Sequence, residues 1–330
     1  MLMIYRAQGS PDAEGGVRLE PDILGPNDAI PNDALWIDMV EPTPKEDGKV
    51  EQHLGVSIPT REDMSDIEPS ELLYTENNVR YLTMRLFHNV EAELPEIAGV
   101  GFILRDNVLV TVRYVRPLAF QMFANRCARG QVPTPEAILA GLIEAIIDRA
   151  ADVLQASGER IDAVSHRVFH IKHEPGSRNE EYQENLRSLG RQGDLLSKVR
   201  ECLVSIERVL LFLTVAYRTA RVPLALREEV RTTLRDLQSL EEHATFLTQK
   251  IQFLLDATLG LVNLEQNNII KLFSVMAVIF MPPTLIASIY GMNFKNMPEL
   301  DTEWGYPATL VAMLAAGLFP YLFFRWKKWL

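Results

Sequence analysis

Reading back from residue 288, Ser288, Thr284, Met281, Ala277, Phe273 or Ser274, Ile270, Asn267, Asn263 and Asp256 recur at steps of three, four or seven. That spacing puts them on one face of a helix. Most are polar or small. Hydroxyl and amide oxygens can meet the water shell of a cation, and a carboxylate raises the local cation concentration. The competing reading is a seam of small residues on which helices pack. Just beyond, the segment 291–305 sets Glu299, Asp301 and Glu303 against the single Lys295, an acidic loop that would also gather cations. A second pattern of metal-binding type is His166, His170 and His173 at i, i+4 and i+7. Imidazoles so spaced can bind zinc. Val164, Val168 and Ile171 form the opposite, apolar face, so the histidines read instead as a solvated face near a helix C-terminus. Neither a Gly-x-Ser-x-Gly elbow nor a nucleotide-binding fingerprint occurs, and no enzyme is expected.

The elements that must position the stripe are apolar. Leu272–Tyr290 and Tyr306–Phe324 contain no charged side chain, while residues 1–268 hold most of the charge. About 20 apolar residues in a helix span the hydrocarbon core of a bilayer. Pro282, Pro283 and Pro320 fall inside these runs, which membrane helices tolerate. Two spans joined by 291–305 make a hairpin. Lys271 precedes it, and Arg325, Lys327 and Lys328 follow it among Trp326 and Trp329. Basic flanks favour the cytoplasmic side, so both termini are expected inside and 291–305 outside. The start, MLMIYRAQGSPDAEGG, has no charged n-region and no sustained apolar core, consistent with a cytoplasmic N-terminal part. The net charge of −11 argues against a nucleic-acid partner. Cys127 and Cys202 are too few and too far apart for a disulfide framework or a thiolate metal site.

Residues 1–130 read as a mixed α/β domain. ALWIDMV (34–40) is a strand, followed by Thr43 as a cap with Pro44 at the first helical position. Thr60 with Asp63 repeats the capping pattern. VRYLTMRLFHNV (79–90) alternates as a strand, and 100–115 reads as two strands joined at Arg105-Asp106-Asn107. A helical region, 131–222, opens at Thr134-Pro135-Glu136, with breaks at Glu174–Ser177 and around Val222-Pro223. From Leu237 to Leu261, apolar or small residues step 3, 4, 3, 4, 3, 4, 3. No cap or proline separates this heptad run from Leu272, so one helix is expected over 223–290, about 100 Å long at 1.5 Å per residue. The remaining segments are the loop 291–305, the second span 306–325 and a basic cytoplasmic tail, 326–330.

Tyr290-Gly291-Met292-Asn293, Met297-Pro298-Glu299-Leu300, Trp304-Gly305-Tyr306-Pro307 and the tail WKKWL together resemble the CorA family of magnesium/cobalt transport channels. The Gly-Met-Asn triplet between two C-terminal spans carries the resemblance, and the layout extends it over most of the chain. It implies a homopentameric funnel in the inner membrane, with the first span of each subunit lining a central pore. It implies that Gly291, Met292 and Asn293 form the outer entrance. Mg²⁺ sheds its waters reluctantly, so acceptors such as the Asn293 side chain suit a hydrated ion, and Gly291 is expected to let the backbone turn sharply. The resemblance further places Thr284, Met281, Phe273 and Asn267 along the pore and Asp256 at its cytoplasmic mouth. Met281 and Phe273 become the apolar constriction, although the family usually carries an aliphatic residue where Phe273 stands. Family members also sense cytoplasmic Mg²⁺ through carboxylates between subunits. Here Thr232 occupies one expected acidic position, with Glu229 and Asp236 one turn either side, and the sensing residues stay unassigned.

The resulting expectation is passive transport of hydrated divalent cations, Mg²⁺ first, with Co²⁺ also passing and Ni²⁺ as a further candidate, gated by cytoplasmic Mg²⁺. A zinc transporter of the related ZntB type is the nearest alternative, but its loop usually lacks Met-Pro-Glu-Leu. A signalling or scaffold protein anchored by a C-terminal hairpin is the alternative of another class.

Overall fold

A computed structural model describes the chain except residues 9–17, 26–27, 67, 91–94, 128–133, 171–177, 220–221, 293–296, 298–301 and 328–330. It divides into two compact units, Met1–Leu255 and Asp256–Leu330.

The first unit is built on a seven-stranded sheet. Its strands are β1 (Leu2–Gln8), β2 (Arg18–Leu24), β3 (Ala34–Val40), β4 (Leu73–Glu76), β5 (Val79–His88), β6 (Glu96–Arg105) and β7 (Val108–Arg113). The order is β2-β1-β3-β7-β6-β5-β4. Only β3 and β7 run parallel; the other neighbours are antiparallel. The strands expected at 34–40, 79–90 and 100–115 are present. Arg105 pairs with Val108 across a two-residue turn in which Asp106 takes a φ of 39°. Three strands escape a reading by alternation. β2 contains Pro21, which an edge strand tolerates because its amide has no ladder partner to lose. β4 has only four residues and turns into β5 through Asn77 and Asn78, both left-handed. β1 is the third, and its Leu2 and Ile4 are buried in the core.

One face of the sheet is covered by α1 (Pro44–Leu54) and a single 3₁₀ turn, Asp63–Ser65. Val50 and Met64 enter the core there beside Ile37, Met39, Ile103 and Val110. The Thr43 amide and hydroxyl both donate to Glu46 Oε2, at 2.8 and 2.9 Å, and start α1. Gly55, with φ 59°, ends it in the left-handed conformation that glycine adopts freely. Thr60 and Asp63 exchange the expected hydrogen bonds, at 2.8 to 3.2 Å, but cap only the 3₁₀ turn. That turn presses on β6 because residue 99 is glycine: a Cβ there would lie 2.3 Å from the Met64 carbonyl oxygen. A four-residue helix, α2 (Pro69–Leu72), leads into β4.

The other face carries helices: α3 (Leu118–Cys127), α4 (Pro135–His170) and α5 (Arg178–Thr219). The break expected at 174–177 lies outside the described residues; the one around Val222-Pro223 precedes α6 (Leu224–Tyr290), a single helix of 67 residues. Within the first unit, the heptad positions Leu237, Ala244, Leu247, Ile251 and Leu254 are buried. Lys250 pairs with Asp162 of α4, and Phe253 stacks on Phe169 of α4 at 6.1 Å.

A buried polar network crosses the parallel β3–β7 pair. Trp36 Nε1 donates to Thr111 Oγ1 at 2.9 Å, and Thr111 Oγ1 donates to Asp38 Oδ1 at 2.7 Å. Arg113 meets the same carboxylate through Nε at 3.0 Å and through its terminal nitrogen at 2.7 Å, and lies 4.8 Å from the Phe120 ring centroid. Asp38 and Arg113 are 1% and 6% exposed, so each charge depends on the other. Removing one partner of a buried pair leaves an uncompensated charge. Asp38→Ala is therefore expected to cost about 3–5 kcal/mol, read by denaturant unfolding followed through tryptophan fluorescence. A loss below about 1 kcal/mol would show the pair to be as idle as a surface bridge.

The second unit holds the remainder of α6 and α7 (Gly305–Trp326). Both helices are long and apolar enough to cross a membrane, and the apolar window of each is almost wholly exposed. On α7, Gly305, Thr309, Met313, Ala316, Gly317, Pro320 and Phe324 are the half-buried positions, spaced for one helical face. A Cβ at Gly317 would meet Pro283 Cγ at 3.4 Å and the Ile279 carbonyl oxygen at 3.6 Å. The pair of helices therefore touches where Pro282 and Pro283 interrupt the ladder of α6, and a small residue on α7 permits the approach.

Candidate functional site

Within the second unit, the exposures along α6 separate two faces. Val275 is 4% exposed, and Ile279, Pro282, Pro283 and Ile286 are half-buried. At 100° per residue these cluster within about 100° of arc, on the side that meets α7. Ile270, Phe273, Ala277, Met281, Thr284 and Ser288 project from the opposite side, and all are exposed. Phe273 and Met281 are 65% and 68% exposed, an unusual state for large apolar side chains. Ser274, the alternative to Phe273 in the stripe, is exposed too, so burial does not choose between them. Asn267, Asn263 and Asp256 continue the exposed run, whereas Thr258, on a heptad position, is buried. The small and polar stripe is thus not the seam between α6 and α7.

Thr284 Oγ1 donates to the Phe280 carbonyl at 2.7 Å. Its proton is committed to its own helix, and its lone pairs remain as acceptors. Proline at 282 and 283 removes the amides that would have bonded the carbonyls of Val278 and Ile279. Acceptors therefore accumulate over one turn of an otherwise apolar segment.

α6 ends with the Gly291 amide on the Ala287 carbonyl at 2.9 Å and the Met292 amide on Ile289 at 3.2 Å. Gly291 is not left-handed; among the described residues only Gly55 is a glycine with positive φ. Gly291 lies in a turn directly after α6, with its amide still on a helical carbonyl, and the backbone bends at Met292. Met292 is half-exposed. Asn293, Lys295, Glu299 and Asp301 lie outside the described residues. Glu303 is exposed just before α7. Trp304, Tyr306 and Trp326 mark the two ends of α7, all more than three-quarters exposed, and Lys327 Nζ lies 5.5 Å from the Trp326 ring centroid. Aromatic and basic residues at helix ends match a membrane interface.

Other sequence candidates are not drawn together. His166 is exposed; the His170 side chain and His173 lie outside the described residues, and Val164 and Val168 are buried as expected. Among the described residues no group of three or more His, Cys, Asp or Glu could hold a metal ion. Thr232 and Asp236 are exposed, and the Thr232 hydroxyl donates to the Glu228 carbonyl at 3.0 Å. Glu229 has its carboxyl raised above the usual range by burial and then by Glu144, against Arg126. What sequence reading missed is the contact at Gly317; the signal was present in Ala316-Gly317 three residues before Pro320 on α7.

The profile of the family described as CorA-like Mg²⁺ transporter protein matches residues 31–328. The magnesium transport protein CorA of Escherichia coli (strain K12) is 38% identical over 299 residues, 90% of this chain and 92% of that protein. In fold, the complete structure of the CorA magnesium transporter from Methanocaldococcus jannaschii superposes with a TM-score of 0.75 at 17% identity, covering 100% of this chain and 99% of that one. The ZntB cytoplasmic domain from Vibrio parahaemolyticus shares the fold more loosely, with a TM-score of 0.52 at 11% identity over 79% of this chain and 98% of that one. With the profile spanning nearly its whole length and a relative at 38% identity, the chain belongs to the family of CorA-like Mg²⁺ transporter proteins.

Proposed function

We propose that this chain is one subunit of a membrane channel that passes hydrated divalent cations, Mg²⁺ first and Co²⁺ as an alternative substrate. The observation that carries the reading is the face of α6 turned away from α7, where acceptors and small side chains line a helix that no other described residue of the second unit covers. Two helices cannot enclose a path, so copies must assemble around an axis with these faces inward, and a homopentamer is the assembly proposed. Lipid then covers the outer face of α7. The chain crosses the inner membrane twice, with both termini in the cytoplasm. Transport is passive: a divalent cation gains about 4.6 kcal/mol per 100 mV of membrane potential.

Mg²⁺ keeps its first shell of water at low cost only if the entrance offers acceptors to that shell. Gly291, Met292 and Asn293 form that entrance, and Glu299, Asp301 and Glu303 draw cations towards it. Thr284, Ser288, Ala277 and Asn267 continue the path. Phe273 and Met281 form collars that water wets poorly, and Asp256 gathers ions at the cytoplasmic mouth. Cytoplasmic Mg²⁺ bound between subunits closes the collars, because it binds the closed state more tightly. The ZntB-type alternative is disfavoured by Met297-Pro298-Glu299-Leu300, and the scaffold alternative by the acceptor stripe.

Flux into liposomes holding the purified protein, with Mg²⁺, Co²⁺, Ni²⁺ and Zn²⁺ compared, tests substrate and entrance together. Mg²⁺ is expected to pass, and Asn293→Ala to abolish its uptake while the assembly persists. Undiminished flux from the assembled variant would refute the entrance; a preference for Zn²⁺ would favour the rival transporter.

The topology can be read by thiol labelling without removing the native cysteines. Burial raises Cys127 to about 11, despite Arg126, and Cys202 to about 12, so neither offers a thiolate near neutral pH. An impermeant thiol reagent on intact cells is expected to label Glu303→Cys and to spare Lys327→Cys. The opposite pattern would reverse the orientation.

Phe273→Gly removes the larger collar. Flux at fixed external Mg²⁺ is expected to rise, and inhibition by internal Mg²⁺ to weaken, with Asp256→Ala having the smaller effect on feedback. Wild-type behaviour of Phe273→Gly at every internal concentration would move the gate elsewhere, Met281 being next.

A further inference from the structure

The first unit contains a cleft of about 370 Å³ between the end of β5, the start of α3 and α4. In a chain of net charge −11, none of the described residues lining it is acidic, and three are basic: His88, Arg116 and Arg149. Arg149 is half-buried and forms no ion pair among the described residues. Arg116 is 69% exposed, and among the described residues it pairs with Glu41 alone, at a loose 3.8 Å. His88 is nearly buried, 3.7 Å from Glu96. The floor is apolar, formed by Phe87, Pro117 and Ile146. The first backbone bond of α3 runs from the Phe120 amide to the Pro117 carbonyl at 3.2 Å, so among the described residues the preceding amides of Leu118 and Ala119, which line the cleft, are spare donors.

A half-buried guanidinium with no carboxylate is costly unless something anionic meets it. Two guanidinium groups on one cleft match the oxygens of a phosphate, which each can hold by two parallel hydrogen bonds. The volume exceeds what an inorganic anion fills and lies in the range of small-molecule sites, and the apolar floor suits a flat ring. We propose that this cleft binds a small phosphomonoester with a flat, largely apolar body, the chemistry of a nucleoside monophosphate. The phosphate sits between Arg116 and Arg149 with the spare amides beside it, and the ring lies over Phe87 and Ile146. The site falls wholly within Met1–Leu255 and is independent of the conduction path on α6.

The test is calorimetric titration of the full-length protein in detergent with AMP, inorganic phosphate and adenosine as probes. AMP is expected to bind once per chain, and inorganic phosphate and adenosine each much more weakly. Arg116→Gln and Arg149→Gln are each expected to weaken AMP by about tenfold or more, with an unchanged thermal melt, and Arg149→Lys to recover part of the loss. No binding of AMP at millimolar concentration, binding of adenosine as tight as that of AMP, or unaltered affinity in both glutamine variants would overturn the proposal.

Discussion

Each backbone amide and carbonyl of a chain that leaves water must find its partner within the chain itself, and α6 meets that condition by remaining one helix from Leu224 to Tyr290. Much else follows from that continuity. The helix has to satisfy two environments with one backbone geometry, so the difference is carried entirely by side chains. Up to Leu254 a heptad of buried residues ties it to its own unit; beyond Val275 the buried positions narrow to the strip facing α7. The two prolines at 282 and 283 are the exception to the ladder, and they fall where α7 presents glycine, so the local defect coincides with a close helix contact.

The sheet unit obeys a different constraint. Its β3 and β7 strands are parallel in an otherwise antiparallel sheet, and both are buried on both faces. Charge placed there must be complete in itself. Trp36, Asp38, Thr111 and Arg113 form a closed set of hydrogen bonds across the parallel pair, with Phe120 of α3 over the guanidinium. The network also fixes which residues face each other, since Asp38 pairs with Thr111 in register. A one-residue slip would bury an unpaired carboxylate.

Long periodic elements were legible before any coordinates. The heptad from Leu237, the absence of a breaker before Leu272 and the Thr43-Pro44 start each follow from spacing and cap chemistry, and each stands in the fold. β2 and β4 were not legible, because an edge strand with Pro21 and a four-residue strand carry too little periodicity. The stripe on α6 was legible as a face; its separation from α7 was not, since only the buried positions of both helices decide which side each turns inward. Gly291 read as a turn, and it lies in one directly after α6, with a right-handed backbone and its amide on the Ala287 carbonyl. Arg116 and Arg149 are 33 positions apart in the chain, and only the packing of α4 beside the start of α3 makes them neighbours.

The length of α6 also has a mechanical meaning. Within the first unit, its residues 224–255 form a lever arm of about 48 Å at 1.5 Å per residue. Tilting that arm by about two degrees at one end sweeps the other by about 1.7 Å, close to the radius of a water molecule. A change in side-chain packing too small to alter any element of secondary structure is thus magnified at the far end into a displacement on the scale of a single hydration layer.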